Sequence, residues 1–177
     1  PPACWSSLAL EPNRYLVVPL HRPANVDGEQ QLLGLLKAIA DGTHGLPVVF
    51  PVHPRTAKNL REAGKTLPSM HYVDPLGYLE FNYLVKHARG VITDSGGITE
   101  ETTVLGVPCL TLRDNTERPE TVTIGTNELN GTDPRKLPPA LARVMAGQWK
   151  KGAIPPKWDG KAAERIVAHL KDLLAGQ

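Results

Sequence analysis

Residues 93–101 read Thr-Asp-Ser-Gly-Gly-Ile-Thr-Glu-Glu. Two chemistries fit the Asp94-Ser95-Gly96-Gly97 core. One makes Ser95 a nucleophile, which needs a base within reach. The other makes the stretch an anion cradle. Glycines let the backbone approach a ligand closely, and the free N–H groups of a helix's first turn, with the helix dipole, favour negative charge. Ser95 would then add a hydroxyl donor. Glu100 and Glu101 follow one turn later. Beside a phosphate a carboxylate is misplaced, unless it points past the anion to the hydroxyls of a sugar, as in nucleotide-binding folds. A plainer reading leaves Ser95 as a helix cap, with Glu100 and Glu101 complementing the dipole. On the loop alone the cradle and the cap are evenly matched.

Other charged groups bear on the choice. The run "RDNTERPE" at 113–120 sets Arg113 and Arg118 around a turn. Arg118 could grip the same anion with two parallel N–H groups, or could form a surface salt bridge with Glu117 or Glu120. His21 is followed by Arg22 and by a helix start at Pro23. His53 stands in a His-Pro pair, a common loop dipeptide and a weaker signal.

The elements that must carry these residues alternate. Strands are expected at 15–20, 47–53, 70–75, 90–94 and 107–112, with a short one at 127–131. Helices are expected at 28–41, after Pro54, at 78–88, 97–105, 134–147 and 159–174. The helix at 28–41 puts Leu32, Leu35, Leu36 and Ile39 on one face. The helix after "DSGG" puts Ile98 and Val104 on its apolar face, and the last one is amphipathic through Ala163, Ile166, Val167, Leu170, Leu173 and Leu174. This alternation implies an α/β, Rossmann-like three-layer domain around a parallel sheet. Ligands of such sheets sit at the carboxyl ends of the strands, at a topological switch point. His21, Arg22, His53, Asp74, Asp94, Ser95 and Arg113 all fall just after strands. A nucleophilic serine of the chymotrypsin kind fits poorly here. That fold is all-β, Thr93 and Ile98 replace its usual Gly and Pro neighbours, and neither His21 nor His53 has its Ala-Ala-His-Cys context.

Composition narrows the function classes. The 177 residues, 41% hydrophobic and 21% charged, suit one domain with a core. A formal net charge of +2 without like-charge blocks argues against a nucleic-acid footprint. A pI near 8.7 is compatible with an anionic small ligand. Cys4 and Cys109 are too few for a disulfide framework. No apolar run is long enough for a membrane span and none reads as a leader, so a cytoplasmic location and no membrane partner are expected. Residues 1–13 fit no element and contain an exposed-looking Trp5. They read as a linker or the remnant of a preceding segment, with the domain proper at 14–177.

Seven segments in order, "HRPANVD" (21–27), "PVHPR" (51–55), "DPLGYLEF" (74–81), "TDSGGITEE" (93–101), "LRDNTERPE" (112–120), "GTN" (125–127) and "DGKAAERI" (159–166), resemble the C-terminal half of the non-hydrolysing UDP-N-acetylglucosamine 2-epimerases. The resemblance covers residues 14–174. Hydrolysing relatives carry a Gly-Asn-Ser-Ser type of turn where this chain has Asp-Ser-Gly-Gly. The resemblance implies the C-terminal half of a GT-B type fold, in which two Rossmann-like domains enclose the active site. It implies that Ser95, Gly96 and Gly97 bind the diphosphate of UDP, Glu101 the ribose hydroxyls, and Arg118 the phosphates. Phe81 would belong to the segment lining the uracil site. His21 would be the active-site histidine, while Arg22, His53 and Arg113 would be contacts for substrate or an effector. The implied reaction interconverts UDP-N-acetylglucosamine and UDP-N-acetylmannosamine, through elimination of UDP to a 2-acetamidoglucal and re-addition. It needs no metal or redox cofactor. The carboxylates that handle the C2 proton belong to an N-terminal domain, so that domain is an expected partner, and homodimers are typical. A GT-B glycosyltransferase, a non-catalytic UDP-sugar sensor and a structural domain are the competing readings.

Overall fold

The computed structural model describes residues 1–52, Thr56, Leu60 and residues 67–175. Its strands are β1 (Leu16–Val17), β2 (Val48–Pro51), β3 (Met70–Val73), β4 (Gly90–Thr93), β5 (Cys109–Thr111) and β6 (Asn127–Leu129). They form one parallel sheet in the order β3-β2-β1-β4-β5-β6. The described helices are α1 (Ala3–Ser7), α2 (Pro23–Val26), α3 (Glu29–Gly42), α4 (Tyr78–His87), α5 (Gly96–Leu105), α6 (Pro119–Thr123), α7 (Leu137–Met145) and α8 (Ala162–Ala175). A 3₁₀ turn at Pro134–Lys136 leads into α7. The helix expected after Pro54 lies outside the described residues.

Both faces of the sheet are covered, which is why its strands read as apolar runs without alternation. Leu16 and Val18 join one core cluster with Leu35, Leu36 and Ile39 of α3 and Leu141 and Val144 of α7. Tyr15 and Val17 point the other way, into a second cluster with Leu84 and Val85 of α4. The period-two alternation of a strand thus splits one apolar run between two cores.

Two expectations are corrected, and a third is met with a qualification. Residues 3–7 are helical, and Trp5 is half-buried, with its ring edge-on to Tyr15 at 5.8 Å and Tyr83 at 5.2 Å. A five-residue helix is too short for periodicity to reveal. Val104 does not share the buried face of α5 with Ile98: it is 51% exposed, whereas Ile98 packs on the second core. Six residues carry it about 240° around the helix axis. Thr99, Thr102 and Thr103 are buried instead, their hydroxyls donating to carbonyls one turn back. The amphipathic stripe of α8 exists, but Ile166, Val167, Leu170, Leu173 and Leu174 are all at least half exposed. No described helix is long and apolar enough to cross a membrane.

The chain runs from β1 outward through β2 to β3, then crosses back to place β4 on the opposite side of β1. The gap between the carboxyl ends of β1 and β4 is therefore the topological switch point. His21-Arg22 follow β1 and Asp94–Gly97 follow β4, so the topology alone brings these two segments together.

Candidate functional site

Asp94 is the hub of this meeting. Its side chain is fully buried at the end of β4, and a buried carboxylate needs donors for its lone pairs. The His21 backbone N–H donates to Oδ1 at 3.1 Å, the Arg22 N–H to Oδ2 at 3.0 Å, and Asn25 Nδ2 to Oδ2 at 3.1 Å. The His21 ring nitrogen Nδ1 lies 2.9 Å from Oδ1. Asn25 also donates to the Leu112 carbonyl, tying α2 to the end of β5. The segment after β1 is thus clamped on Asp94, and about half of the His21 side chain remains open to solvent.

Next to this hub α5 begins at Gly96. The Ser95 N–H is taken by the Thr93 hydroxyl at 3.1 Å, but the Ser95 side chain makes no capping bond. The expectation of a plain helix cap is not met. Gly97 has open space where a Cβ would stand, so the first turn of α5 is accessible. Arg113, only 7% exposed, donates to both carboxylate oxygens of Glu117 at 3.0 and 2.7 Å. That fork holds the Glu117 carboxyl far below the usual range, at about 2. It also fixes the turn that presents Arg118. Arg118 pairs with Glu100, not with the Glu117 or Glu120 expected from the sequence. A cavity of about 380 Å³ lies between Gly96, Gly97, Glu100, Glu117 and Arg118.

A larger cavity, about 630 Å³, shares Glu100 and Arg118 with it and extends past Glu101. Both fall in the size range of small-molecule sites. Among the described residues Glu101 has no hydrogen-bonded or ion-paired partner, so its carboxylate is available inside the larger cavity. Tyr78, Val104 and Trp158 supply apolar walls there. Phe81 is not among the lining residues; it packs half-buried on the second core. Tyr78, one turn earlier on α4, lines the cavity, and Trp158 reaches it from just ahead of α8. Neither is singled out by the sequence alone, although Tyr78 lies within "DPLGYLEF" and Trp158 immediately precedes "DGKAAERI". His53 lies outside the described residues. His21, Arg22, Ser95, Gly96, Gly97 and Arg113 gather at the switch point, with Arg118 and Glu101 on the side where the two cavities open. Among the described residues no group of three or more His, Cys, Asp or Glu is placed to hold a metal ion.

A doubly wound parallel sheet with an open helix start beside its switch point defines the class: an α/β domain of the Rossmann-like kind. The family model described as UDP-N-acetylglucosamine 2-epimerase matches residues 4–171. The UDP-N-acetylglucosamine 2-epimerase of Methanocaldococcus jannaschii is 39% identical over 177 aligned residues, covering 95% of this chain and 47% of the relative. That of Escherichia coli K12 is 36% identical over 151 residues, 82% of this chain and 40% of its own. The crystal structure of the M. jannaschii enzyme in complex with UDP-GlcNAc and UDP superposes with a TM-score of 0.77, over 96% of this chain and 47% of that one. The glycosyltransferase VinC, at 19% identity and a TM-score of 0.61, shares the fold alone. The chain belongs to the UDP-N-acetylglucosamine 2-epimerase family, and its fold is one half of the GT-B type. It spans about half the length of the curated relatives it matches.

Proposed function

We propose that this chain is the UDP-binding half of a non-hydrolysing UDP-N-acetylglucosamine 2-epimerase, acting together with a second domain. The observation that carries the reading is the first turn of α5. Gly97 leaves it open, the Ser95 hydroxyl makes no cap, and Arg118 stands beside it. Those are the donors a diphosphate needs, at the strand ends where such folds take ligands. Glu101 would bind the ribose diol, with Tyr78 and Trp158 flanking the base in the larger cavity. Phe81, half-buried against the second core one turn after Tyr78, would support the base from the core side.

In the proposed reaction a base of the second domain removes the C2 proton of the sugar. The C1–O bond breaks, its electron pair passes to the β-phosphate oxygen of UDP, and a C1=C2 double bond forms in the 2-acetamidoglucal. Re-addition of UDP with protonation at the other face of C2 gives UDP-N-acetylmannosamine. The role of this half is to stabilise charge on the departing diphosphate, which lowers the barrier more than it tightens substrate binding. His21 would exchange a proton with that oxygen. Arg22, Arg113 and His53 would contact substrate or an effector. A cytoplasmic homodimer serving cell-envelope polysaccharide synthesis is the setting this reading implies.

Product analysis tests it. Given UDP-N-acetylglucosamine, the chain joined to its second domain should yield UDP-N-acetylmannosamine without any acceptor, and the 177-residue chain alone should not. Product formed only when an acceptor sugar is supplied would favour a GT-B glycosyltransferase.

A further inference from the structure

The fully buried Asp94 does more than close a turn. Two backbone N–H groups and the Asn25 amide already donate to it, and these would suffice to staple the segment after β1 onto the end of β4. The fourth partner is a ring nitrogen, His21 Nδ1, at 2.9 Å. Against an oxygen that only accepts, that nitrogen must carry a proton. In the neutral ring the lone pair then resides on Nε2, at the opposite edge. Asp94 is also the residue whose peptide leads directly into Ser95, Gly96 and Gly97, so one side chain joins the imidazole rigidly to the anion cradle. The charged groups nearby are Arg113, which follows β5 and attracts Asp94 electrostatically, and Arg22, whose backbone N–H bonds Asp94 and whose charge acts on Glu117.

We propose that Asp94 is a positioning residue that holds the Nδ1–H of His21 and thereby makes Nε2 the nitrogen that exchanges a proton with the ligand's leaving oxygen. The identity of that oxygen rests on the function proposed above; the Asp94–His21 relation does not. In the forward direction the imidazolium gives its Nε2 proton to the β-phosphate oxygen as the C1–O bond breaks. The ring is left neutral, with its remaining proton on Nδ1 facing the Asp94 carboxylate. On re-addition the phosphate oxygen returns the proton to Nε2 as the new C1–O bond forms. Without the carboxylate the neutral ring is free to protonate at Nε2, and the nitrogen facing the ligand loses its lone pair.

Ring ¹⁵N spectroscopy of the histidines in this chain tests the proposal, at a pH where His21 is neutral. The expected spectrum shows His21 protonated at Nδ1 with a bare Nε2. In Asp94→Asn a single acceptor oxygen replaces the carboxylate where four donors converge, and the Nδ1–H form should give way to the Nε2–H form. Asn25→Ala loosens the same turn but leaves the His21–Asp94 contact, so it should keep the Nδ1–H form; a purely structural role for Asp94 would make the two variants alike. Adding UDP should shift Nε2 and leave Nδ1 in place. An Nε2–H tautomer in the unsubstituted chain overturns the proposal even if Asp94→Asn does not fold. An Nε2 signal unmoved while the Gly96 and Gly97 amides respond to UDP overturns it too. Silence of those amides with the Nδ1–H tautomer intact refutes the UDP reading and leaves the positioning role of Asp94 standing.

Discussion

Ser95 follows a buried strand, and its hydroxyl makes no hydrogen bond among the described residues. If the hydroxyl serves a diphosphate, Ser95→Ala removes one hydrogen bond to a charged group, about 1.5–3 kcal/mol. The expected outcome is UDP binding weakened about ten- to hundredfold by calorimetry, with thermal stability unchanged and no covalent Ser95 adduct trapped by serine-directed reagents. Unaltered affinity would return Ser95 to the status of a bystander. A second prediction concerns Glu117, whose carboxyl is held near 2 by the Arg113 fork. A folded-state value below the unfolded one means the pair contributes stability above the unfolded value, about 4.3. That contribution fades as pH falls from there through about 2. Carboxyl ¹³C NMR should give Glu117 a midpoint near 2, and Arg113→Gln should restore the ordinary range. At this scale the sequence was informative about residue types at strand ends. It could not disclose that Asp94, through a ring nitrogen and two peptide N–H groups, joins the ends of β1 and β4, because the partners are more than 70 positions away.

At the scale of elements the strand–helix alternation was legible because each strand is bounded by turn formers and each long helix has a clear apolar spacing. Boundaries shifted where burial, not composition, decides them: the 15–20 run contributes only Leu16–Val17 to the ladder. The short helices α1 and α6 were missed for lack of enough residues to show a period, and the threonine face of α5 because threonine carries no apolar signal. The "GTN" segment at 125–127 gains a structural explanation here. A Cβ on Gly125 would stand 2.4 Å from the Thr103 hydroxyl and 2.6 Å from the Thr121 carbonyl. Asn127 is buried, accepting from the Thr111 hydroxyl at 2.6 Å and donating to that of Thr121 at 3.2 Å. Gly125→Ala should therefore destabilise the fold by about 1–3 kcal/mol through overpacking, read as a lower urea midpoint. Were the midpoint unchanged, the close packing of α5 on this turn would be wrong.

For the whole molecule, α8 is the telling element. Its apolar stripe was read correctly from the spacing, but a sequence pattern does not say what covers a face. Here the stripe has no cover among the described residues, and the chain spans about half the length of its relatives. Under the function proposed above, the second domain seats there. Val167→Lys with Leu170→Lys should leave the stability of the 177-residue chain within about 0.5 kcal/mol, while abolishing its co-purification with that domain. Retained association would place the contact elsewhere.

The central claim is that the first turn of α5 is a diphosphate cradle. The most direct measurement is a ¹⁵N–¹H NMR titration of the chain with UDP. The expected result is weak, saturable binding, with the largest shifts at the Gly96, Gly97 and Ile98 amides and at Arg118 Nε. Saturable shifts centred away from the switch point, or none at all in that turn, would contradict it.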